Sequence, residues 1–237
     1  MRIMTFNVQH FLDYQNNKID FDLFADFIKN CNVDICGLNE VRGEGPVDGY
    51  TDQLGTVADK LSAERYFGEA IKVRGTSPYG NGIIANRQFN SAETIKIPDP
   101  KIKFPWRNYE TRCVIKVSAD FDGREVLFFV CHMGLSGQER KNAVKTLCRL
   151  LDETDLPAVV MGDFNDTPDK AVLTPLFDRL SDTDNVADTK NLPTYPSYKP
   201  DIKIDYILYR GLKCKNVCTV NKVVSDHLPI IAEFSFI

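Results

Sequence analysis

The nine residues from Ala158 to Asp166 (Ala-Val-Val-Met-Gly-Asp-Phe-Asn-Asp) constrain the fold more than any other stretch of this chain. Four consecutive apolar residues, ending at Met161, predict a strand whose two faces are both buried. The strand leads into Asp163 and Asn165, so an acid and an amide lie at one edge of the core. Taken alone, the segment is more typical of an ordinary strand-to-helix turn than of a functional site, because Gly, Asp and Asn all favour turns.

A strand, a helix and a second strand come first in the chain. Arg2–Val8 has an alternating pattern, and Asp20–Asn30 carries phenylalanines at helical spacing behind an aspartate that can cap a helix. Val33–Leu38 is a second short apolar run. This order predicts a crossover whose two strands are parallel and deliver polar residues to the same edge of a sheet.

Turn and cap signals divide the rest of the chain into further strands and helices. The pair Asp122-Gly123 between two apolar runs predicts a hairpin, and Ser136–Glu139 has the spacing of a capping box. Thr167 and Pro168 predict the start of a short helix that ends near Leu180. Roughly ten or eleven strands and about four helices would bury their apolar faces best as two packed sheets flanked by helices.

The composition is typical of one globular domain, which we expect to span residues 1–237. Hydrophobic residues make up 43% of the chain and charged residues 26%. Seven cysteines, mostly within apolar runs, indicate reduced thiols in a cytoplasmic protein. The apolar runs are too short for a signal peptide or a membrane span, and no feature indicates an obligate protein partner. The net charge of −4 disfavours tight non-specific binding to nucleic acid.

Polar residues follow the predicted buried strands in an unusual number. Each one alone is more typical of an ordinary polar group at a strand end. Together their carboxylates, amides and imidazoles fit a site for a hard cation such as Mg²⁺ or Mn²⁺, and no cysteine cluster indicates a softer metal. A divalent ion beside a phosphate polarises it and stabilises the leaving oxygen. The residues are Asn7, Glu40, His132, Asp163, Asn165, Asp205, Asp226 and His227.

With these residues, the sequence resembles the endonuclease/exonuclease/phosphatase superfamily, which has the DNase I-like fold. The matching motifs occur in the family's order: Thr5–Asn7, Gly37–Val41, Tyr79–Gly82, Val130–His132, Gly162–Asn165, Lys203–Ile207 and Ser225–Pro229. The resemblance implies an α/β fold, a four-layer α/β/β/α sandwich of two mixed β-sheets flanked by helices. It also implies a Mg²⁺-dependent phosphoric ester hydrolase, in which Mn²⁺ can substitute and water attacks the phosphorus in line.

The resemblance further implies a metal site. Glu40 is similar to the family's principal metal ligand, and Asn7 and Asp226 correspond to residues close to the ion or its waters.

The other motif residues are implied to act on water and phosphate. Asp163 and Asn165 resemble the pair that orients and activates the attacking water, and His132 resembles a phosphate contact. His227 resembles the catalytic histidine, which Asp205 holds through the other ring nitrogen. The sequence leaves open which group takes the proton of the water.

Substrate contacts are less well defined. Glu110-Thr-Arg112 resembles a family pattern with Thr111 in place of proline, and it places Arg112 either near the phosphate or in a salt bridge at a strand start. The loop from Lys96 to Arg112 holds five basic and two acidic residues. In it, Trp106 and Tyr109 either stack on a base or sugar or form an ordinary solvated loop. Asn81 of the Tyr79–Gly82 motif is a further predicted contact.

The sequence is compatible with three functions. The first is hydrolysis of a small or single-stranded phosphate ester, a diester or a monoester. The second is a DNA or RNA endonuclease or exonuclease of the abasic-site or end-repair type, which the charge of −4 restricts to end-processing. The third is an inactive binding protein of the same fold, which we expect to lack a ligand acid or a histidine. Here all eight positions are filled, which favours an enzyme.

Overall fold

Two six-stranded sheets packed face to face form the centre of the protein. The computed structural model describes residues 1–106, 108–186 and 192–237. Its strands are β1 Arg2–Asn7, β2 Leu12–Asp13, β3 Lys18–Ile19, β4 Ile35–Arg42, β5 Glu64–Val73, β6 Ser77–Ala85, β7 Ser91–Lys96, β8 Cys113–Phe121, β9 Arg124–Cys131, β10 Ala158–Asp163, β11 Ser181–Asp182, β12 Asp205–Arg210, β13 Leu212–Thr219 and β14 Ile230–Phe236. Its helices are α1 Phe21–Cys31, α2 Gln53–Leu61, α3 Gly137–Asp152 and α4 Thr174–Phe177, with short 3₁₀ turns at Gln9–Phe11 and Thr183–Val186.

Each sheet contains one parallel pair, and a helix connects its two strands. The first sheet has the order β13-β14-β1-β4-β6-β5, and the second has the order β11-β12-β10-β9-β8-β7. β1 is parallel to β4 and β9 is parallel to β10, whereas the other neighbours are antiparallel. Helix α1 joins the first parallel pair and α3 joins the second, which confirms the predicted crossover.

Strand β9 shows how the four layers are built. Phe128 and Val130 face the gap between the sheets, whereas Phe129 on the other face packs with Leu147 of α3. All four side chains are inaccessible to solvent. Helices α1 and α2 cover the first sheet in the same way, through residues such as Phe24, Leu54 and Val57 packed on Met4 and Leu38. The four-layer α/β/β/α sandwich is therefore confirmed, and so is the burial of the Ala158–Met161 strand on both faces.

The alternation that builds the core also places the polar residues. Met161 faces the gap between the sheets, so Asp163, two residues later, faces the same gap at its open edge. Ile207 faces the gap as well, and Asp205 precedes it by two residues on the neighbouring strand, directly opposite Asp163. The same period of two brings Asn7 and His132 to this edge, in line with Ile3 and Val130.

Local signals for helix starts are confirmed at two helices and fail at a third. The Asp20 carboxylate accepts from the Leu23 amide at 3.0 Å, and Ser136 with Glu139 forms the capping box of α3. The helix predicted from Thr167 to about Leu180 is wrong, because only Thr174–Phe177 is α-helical. The Thr167 hydroxyl bonds to the Asp169 side chain, and the chain continues in turns such as Lys170 N–H to Thr167 carbonyl. No helix in the described ranges is long and apolar enough to cross a membrane.

The gap between the sheets is expected to carry much of the stability. Phe128→Ala removes a ring that is 0% exposed there, and it should lower the free energy of unfolding by about 3–5 kcal/mol. Ile102→Ala, at a side chain that is 72% exposed, is the matched control and should change it by less than about 0.5 kcal/mol. Equilibrium urea denaturation measures both, and equal effects would contradict the assignment of the core.

Candidate active site

A cleft of about 470 Å³ opens where the polar edges of the two sheets meet. Its walls come from both sheets and from the loops that follow β9, β10 and β13. Asn7 and Asp205, each 1% exposed, lie against residues of its floor. Seven of the predicted residues line the cleft, and they are Glu40, Arg112, His132, Asp163, Asn165, Asp226 and His227.

A β-bulge turns Glu40 toward the cleft. The register between β4 and β6 shifts between Leu38 and Val41, and Glu40 has a left-handed backbone with φ of 63°. A non-glycine residue in this conformation is held there by its surroundings at a cost in strain. The Asn7 amide nitrogen donates to Oε1 of Glu40 at 3.1 Å and fixes the carboxylate. Its own oxygen accepts from the Gln9 amide at 3.2 Å, so both ends of the Asn7 amide are held in place.

Asp163 is held by the opposite sheet. Its backbone N–H donates to Oδ1 of Asn39 at 2.9 Å, and its carboxylate Oδ2 accepts from Nδ2 of Asn7 at 3.1 Å. The Asn165 amide donates to Oδ1 of Asp163 at 2.8 Å. Gly162 permits this approach, since its φ is 139° and a Cβ there would collide with the carbonyl of Cys131. The sequence places Asn39 in the same motif as Glu40 but does not reveal that it bridges the sheets.

The environment of Asp163 favours proton transfer near neutral pH. Burial, followed by repulsion from the Asp205 carboxylate, raises the pKa of Asp163 to about 7, against opposing contributions from His227 and hydrogen bonds from Asn165 and Asn7. A carboxyl group with a pKa near the working pH is suited to act as a general base.

Asp205 lies at the inner ring nitrogen of His227, the contact expected from the sequence. His227 Nδ1 lies 2.8 Å from Oδ2 of Asp205, and the Thr194 hydroxyl donates to the same oxygen at 2.6 Å. Burial alone would lower the pKa of His227, but the carboxylates of Asp205, Asp163 and Asp226 outweigh it and raise the pKa to about 10. The ring is therefore an imidazolium, and its Nε2 lies 3.7 Å from Oδ2 of Asp163. No sequence motif indicated Thr194.

The His132 ring, unlike that of His227, is uncharged. Burial, and then the positive charges of Arg112 and His227, hold the pKa of His132 well below its usual value, so the ring is neutral. Nη1 of Arg112 lies 3.2 Å from His132 Nδ1, and Nδ2 of Asn165 lies 3.0 Å from Nε2. Both neighbours are donors, and a neutral imidazole accepts at only one nitrogen. The ring therefore accepts from only one of these neighbours, and the Asn165 amide nitrogen also donates to the Met133 carbonyl at 2.9 Å.

The first turn of α3 ties together the segments that carry these groups. Glu139 accepts from the Ser136 amide at 3.0 Å and from the Glu110 amide at 3.2 Å, two residues before Arg112. The Arg140 guanidinium pairs with Asp166 at 2.7 Å, and it also donates to the Leu135 carbonyl at 2.7 Å. The loops that bear His132, Asn165 and Arg112 are therefore attached to one helix end.

Two carboxylates at the cleft are suited to hold a divalent cation. Burial, and also the charge of Glu40, raises the pKa of Asp226. Among the described residues, no lysine or arginine forms an ion pair with Glu40 or Asp226. A cation between two such carboxylates would relieve their repulsion, and oxygen ligands suit Mg²⁺ and Mn²⁺.

A second group of possible ligands lies deeper. Atoms of Asp163, Asp205 and His227 all lie within 4.8 Å of one another. His227 is already bonded to Asp205 at 2.8 Å, and a protonated imidazole cannot coordinate a metal. A metal at this group would have to displace the proton of His227, a cost that is absent at Glu40 and Asp226.

The predicted substrate contacts have different locations. Arg112 reaches the cleft and pairs with Glu110 at 2.9 Å. Asn81 is 2% exposed, and its amide accepts from Asn39 and donates to the Cys113 carbonyl. The expectation that Asn81 contacts substrate is thus corrected, since its amide joins the two sheets instead. Trp106 and Tyr109 belong to a neighbouring loop, in which Arg107 lies outside the described residues.

Comparison with known proteins identifies the family and the fold. A model of the Endonuclease/Exonuclease/phosphatase family matches residues 4–227, whereas no curated protein matches the sequence. Similar solved structures include a family protein from Leptotrichia buccalis, with 21% identity, a TM-score of 0.80 and all of both chains covered. A mannosyl-6-phosphatase of Bacteroides thetaiotaomicron has 16% identity and a TM-score of 0.81, again over all of both chains. The human Nocturnin catalytic domain has 19% identity and a TM-score of 0.74 over 100% of this chain and 94% of its own.

The attachment at the first turn of α3 predicts a positioning role for Arg140. Arg140→Ala leaves every lining residue of the cleft unsubstituted. It should nevertheless lower kcat by about tenfold or more, because small displacements of catalytic groups are costly. Arg140→Lys, which keeps a charge opposite Asp166, should recover part of the loss. Steady-state kinetics on an activated phosphodiester measures both effects. An equal rise in KM in both variants with no change in kcat, or a loss of folding in both variants, would contradict a positioning role.

Proposed function

The protein belongs to the Endonuclease/Exonuclease/phosphatase family, whose members hydrolyse phosphate esters, and on that basis we propose that it is a divalent-metal-dependent hydrolase of small or single-stranded phosphate esters. One observation carries the proposal. Oδ2 of Asp163 lies 3.1 Å from Nδ2 of Asn7, 3.5 Å from Nε2 of His132 and 3.7 Å from Nε2 of His227. A buried acid, a neutral imidazole and an imidazolium thus converge on one cleft, which is an arrangement suited to acid–base chemistry on a phosphate.

Each group has a chemical task in this proposal. Asp163, with the Asn165 amide beside it, orients the attacking water and takes its proton. The His227 imidazolium, held by Asp205, donates from Nε2 to an oxygen of the phosphate that becomes more negative in the transition state. Arg112 and His132 bind the remaining phosphate oxygens.

The proposed cofactor is Mg²⁺, for which Mn²⁺ substitutes, and Glu40 and Asp226 would hold it, with Asn7 orienting Glu40. When bound, such an ion supplies Lewis-acid polarisation of the phosphate and stabilises the leaving oxygen.

The charge of the cleft supports a small substrate. Among the described lining residues the cationic side chains are Arg112 and His227, and acidic residues such as Glu110 and Glu139 share the same walls. An extended polynucleotide would need many phosphate contacts from lysine and arginine. The mannosyl-6-phosphatase shows that a protein of this fold acts on a small phosphate ester. A nuclease that processes single-stranded ends is the alternative, and the filled set of site residues argues against an inactive binding protein.

Further features of the chain fit this activity. We propose that residues 1–237 work as one domain, because both sheets contribute to the cleft. All seven cysteines are free thiols, which supports a reducing, cytoplasmic compartment. The proposed partner is the phosphate-ester substrate, with no obligate protein partner.

Removal of metal should abolish the activity. The purified protein should hydrolyse bis-p-nitrophenyl phosphate with Mg²⁺ or Mn²⁺, EDTA should stop the reaction, and added Mg²⁺ should restore it, because the two carboxylates need a cation between them. Release of p-nitrophenolate is the measurement. Full activity in EDTA would overturn the metal-dependent function.

Substitution of the acid–base groups should lower turnover. His227→Ala and Asp163→Asn should each reduce kcat by about two orders of magnitude or more. Asp201→Asn changes an exposed acid just before β12 and should leave kcat unchanged. Circular dichroism spectra that match the unsubstituted protein exclude unfolding. Normal turnover by either site variant would remove that residue from the mechanism.

A further inference from the structure

A second recess of about 660 Å³ adjoins the catalytic cleft. The two cavities share Asn108 and Glu110 in their walls. Glu110 also pairs with Arg112 at 2.9 Å, so the recess lies next to the residues proposed to bind phosphate. The remaining lining residues include Lys103, Phe104 and Tyr109.

One lining residue of the recess, Phe104, belongs to an exposed aromatic stack with Trp106. The rings of Phe104 and Trp106 lie 5.1 Å apart between centroids with an angle of 29° between their planes. Phe104 is 44% exposed and Trp106 is 75% exposed, so the pair presents a large apolar surface to water beside a polar cleft. The Tyr109 hydroxyl accepts from the Phe104 amide at 3.3 Å and holds the loop in shape. Exposed apolar surface next to a cleft typically marks a binding site.

Each of the two charged residues in the described lining takes part in an ion pair. Lys103 forms an ion pair with Asp99 at 2.7 Å, and Glu110 forms one with Arg112. The described lining therefore offers ring faces and little unpaired positive charge. It fits an uncharged planar ring better than it fits a second phosphate or the continuing backbone of a nucleic acid.

We propose that this recess binds a planar aromatic group on the substrate, so that the enzyme acts on small phosphate esters in which the phosphate is joined to an aromatic or nucleoside-like alcohol. This inference rests on the proposed function, because it places the phosphate at Arg112, His132 and His227. The ring would stack on Phe104, with Trp106 extending the same surface.

Matched phosphonates test the proposal without turnover, since their C–P bond is not an ester. Isothermal titration calorimetry in the presence of Mg²⁺ should show that phenylphosphonate binds about tenfold more tightly than methylphosphonate, in line with the usual size of stacking contributions. Phe104→Ala should remove this difference and leave the Kd of methylphosphonate unchanged. Phe104→Tyr should restore it, and Ile102→Ala, on the same loop, should have no effect.

Trp106 is the single tryptophan of the chain and reports on the recess directly. Phenylphosphonate should change its fluorescence, and methylphosphonate should not. Equal affinities of the two ligands, or a preference that survives Phe104→Ala, would overturn the inference. Tighter binding of a single-stranded phosphorothioate oligonucleotide than of phenylphosphonate would also overturn it, in favour of a nucleic acid.

Failure of this inference can be told apart from failure of the proposed function. The same preparation could hydrolyse bis-p-nitrophenyl phosphate and still bind the two phosphonates equally. That result would support the proposed function and reject only the role of the recess. Absence of metal-dependent hydrolysis would count against the function itself.

Discussion

The structure depends on how a buried carboxylate, Asp163, is supported between two sheets. Burial of a charge or of an unpaired polar group is costly, yet Asp163 is only 2% exposed. Asn7 and Asn39 of the first sheet supply the compensating bonds, at 3.1 Å to its carboxylate and 2.9 Å from its amide. Asn81 in turn bonds Asn39 to the Cys113 carbonyl of the second sheet. The sheets are thus joined by polar contacts at the edge where the cleft opens, and by apolar packing elsewhere.

This arrangement explains why the site is already formed in the protein. The period of two along each strand that buries Ile3, Met161 and Ile207 also directs Asn7, Asp163 and Asp205 into the gap. Their positions are fixed by the packing of the core, so little reorganisation is needed when charge develops on a substrate. Preorganised polar groups of this kind are the usual source of catalytic stabilisation.

Much of this could be predicted from the sequence because it follows from local patterns. The apolar run before Gly162, the cap at Asp20 and the capping box at Ser136 each identify their element. The failed helix after Thr167 shows the limit of such signals. In that segment the Thr167 hydroxyl bonds to the Asp169 side chain, and the Asp166 carboxylate pairs with Arg140 of α3.

Features that depend on tertiary contacts could not be predicted. The left-handed backbone of Glu40 arises from a bulge between β4 and β6. Asn39 and Asn81 bond to residues that are distant in sequence, and Thr194 reaches Asp205 from a loop outside the motifs. Motif resemblance named the acids and histidines that the structure brings together at the cleft, but it assigned no supporting role to Asn39, Asn81 or Thr194.

We propose that one divalent ion binds at Glu40 and Asp226, which leaves Asp163, Asp205 and His227 for proton transfer. Binding of Mn²⁺ measured by electron paramagnetic resonance tests it most directly, without reference to turnover. Glu40→Gln and Asp226→Asn should each weaken Mn²⁺ binding by about tenfold or more, whereas His227→Ala should bind Mn²⁺ as the unsubstituted protein does. Loss of Mn²⁺ binding in His227→Ala, with retention in Glu40→Gln, would place the ion at the deeper group and contradict the account.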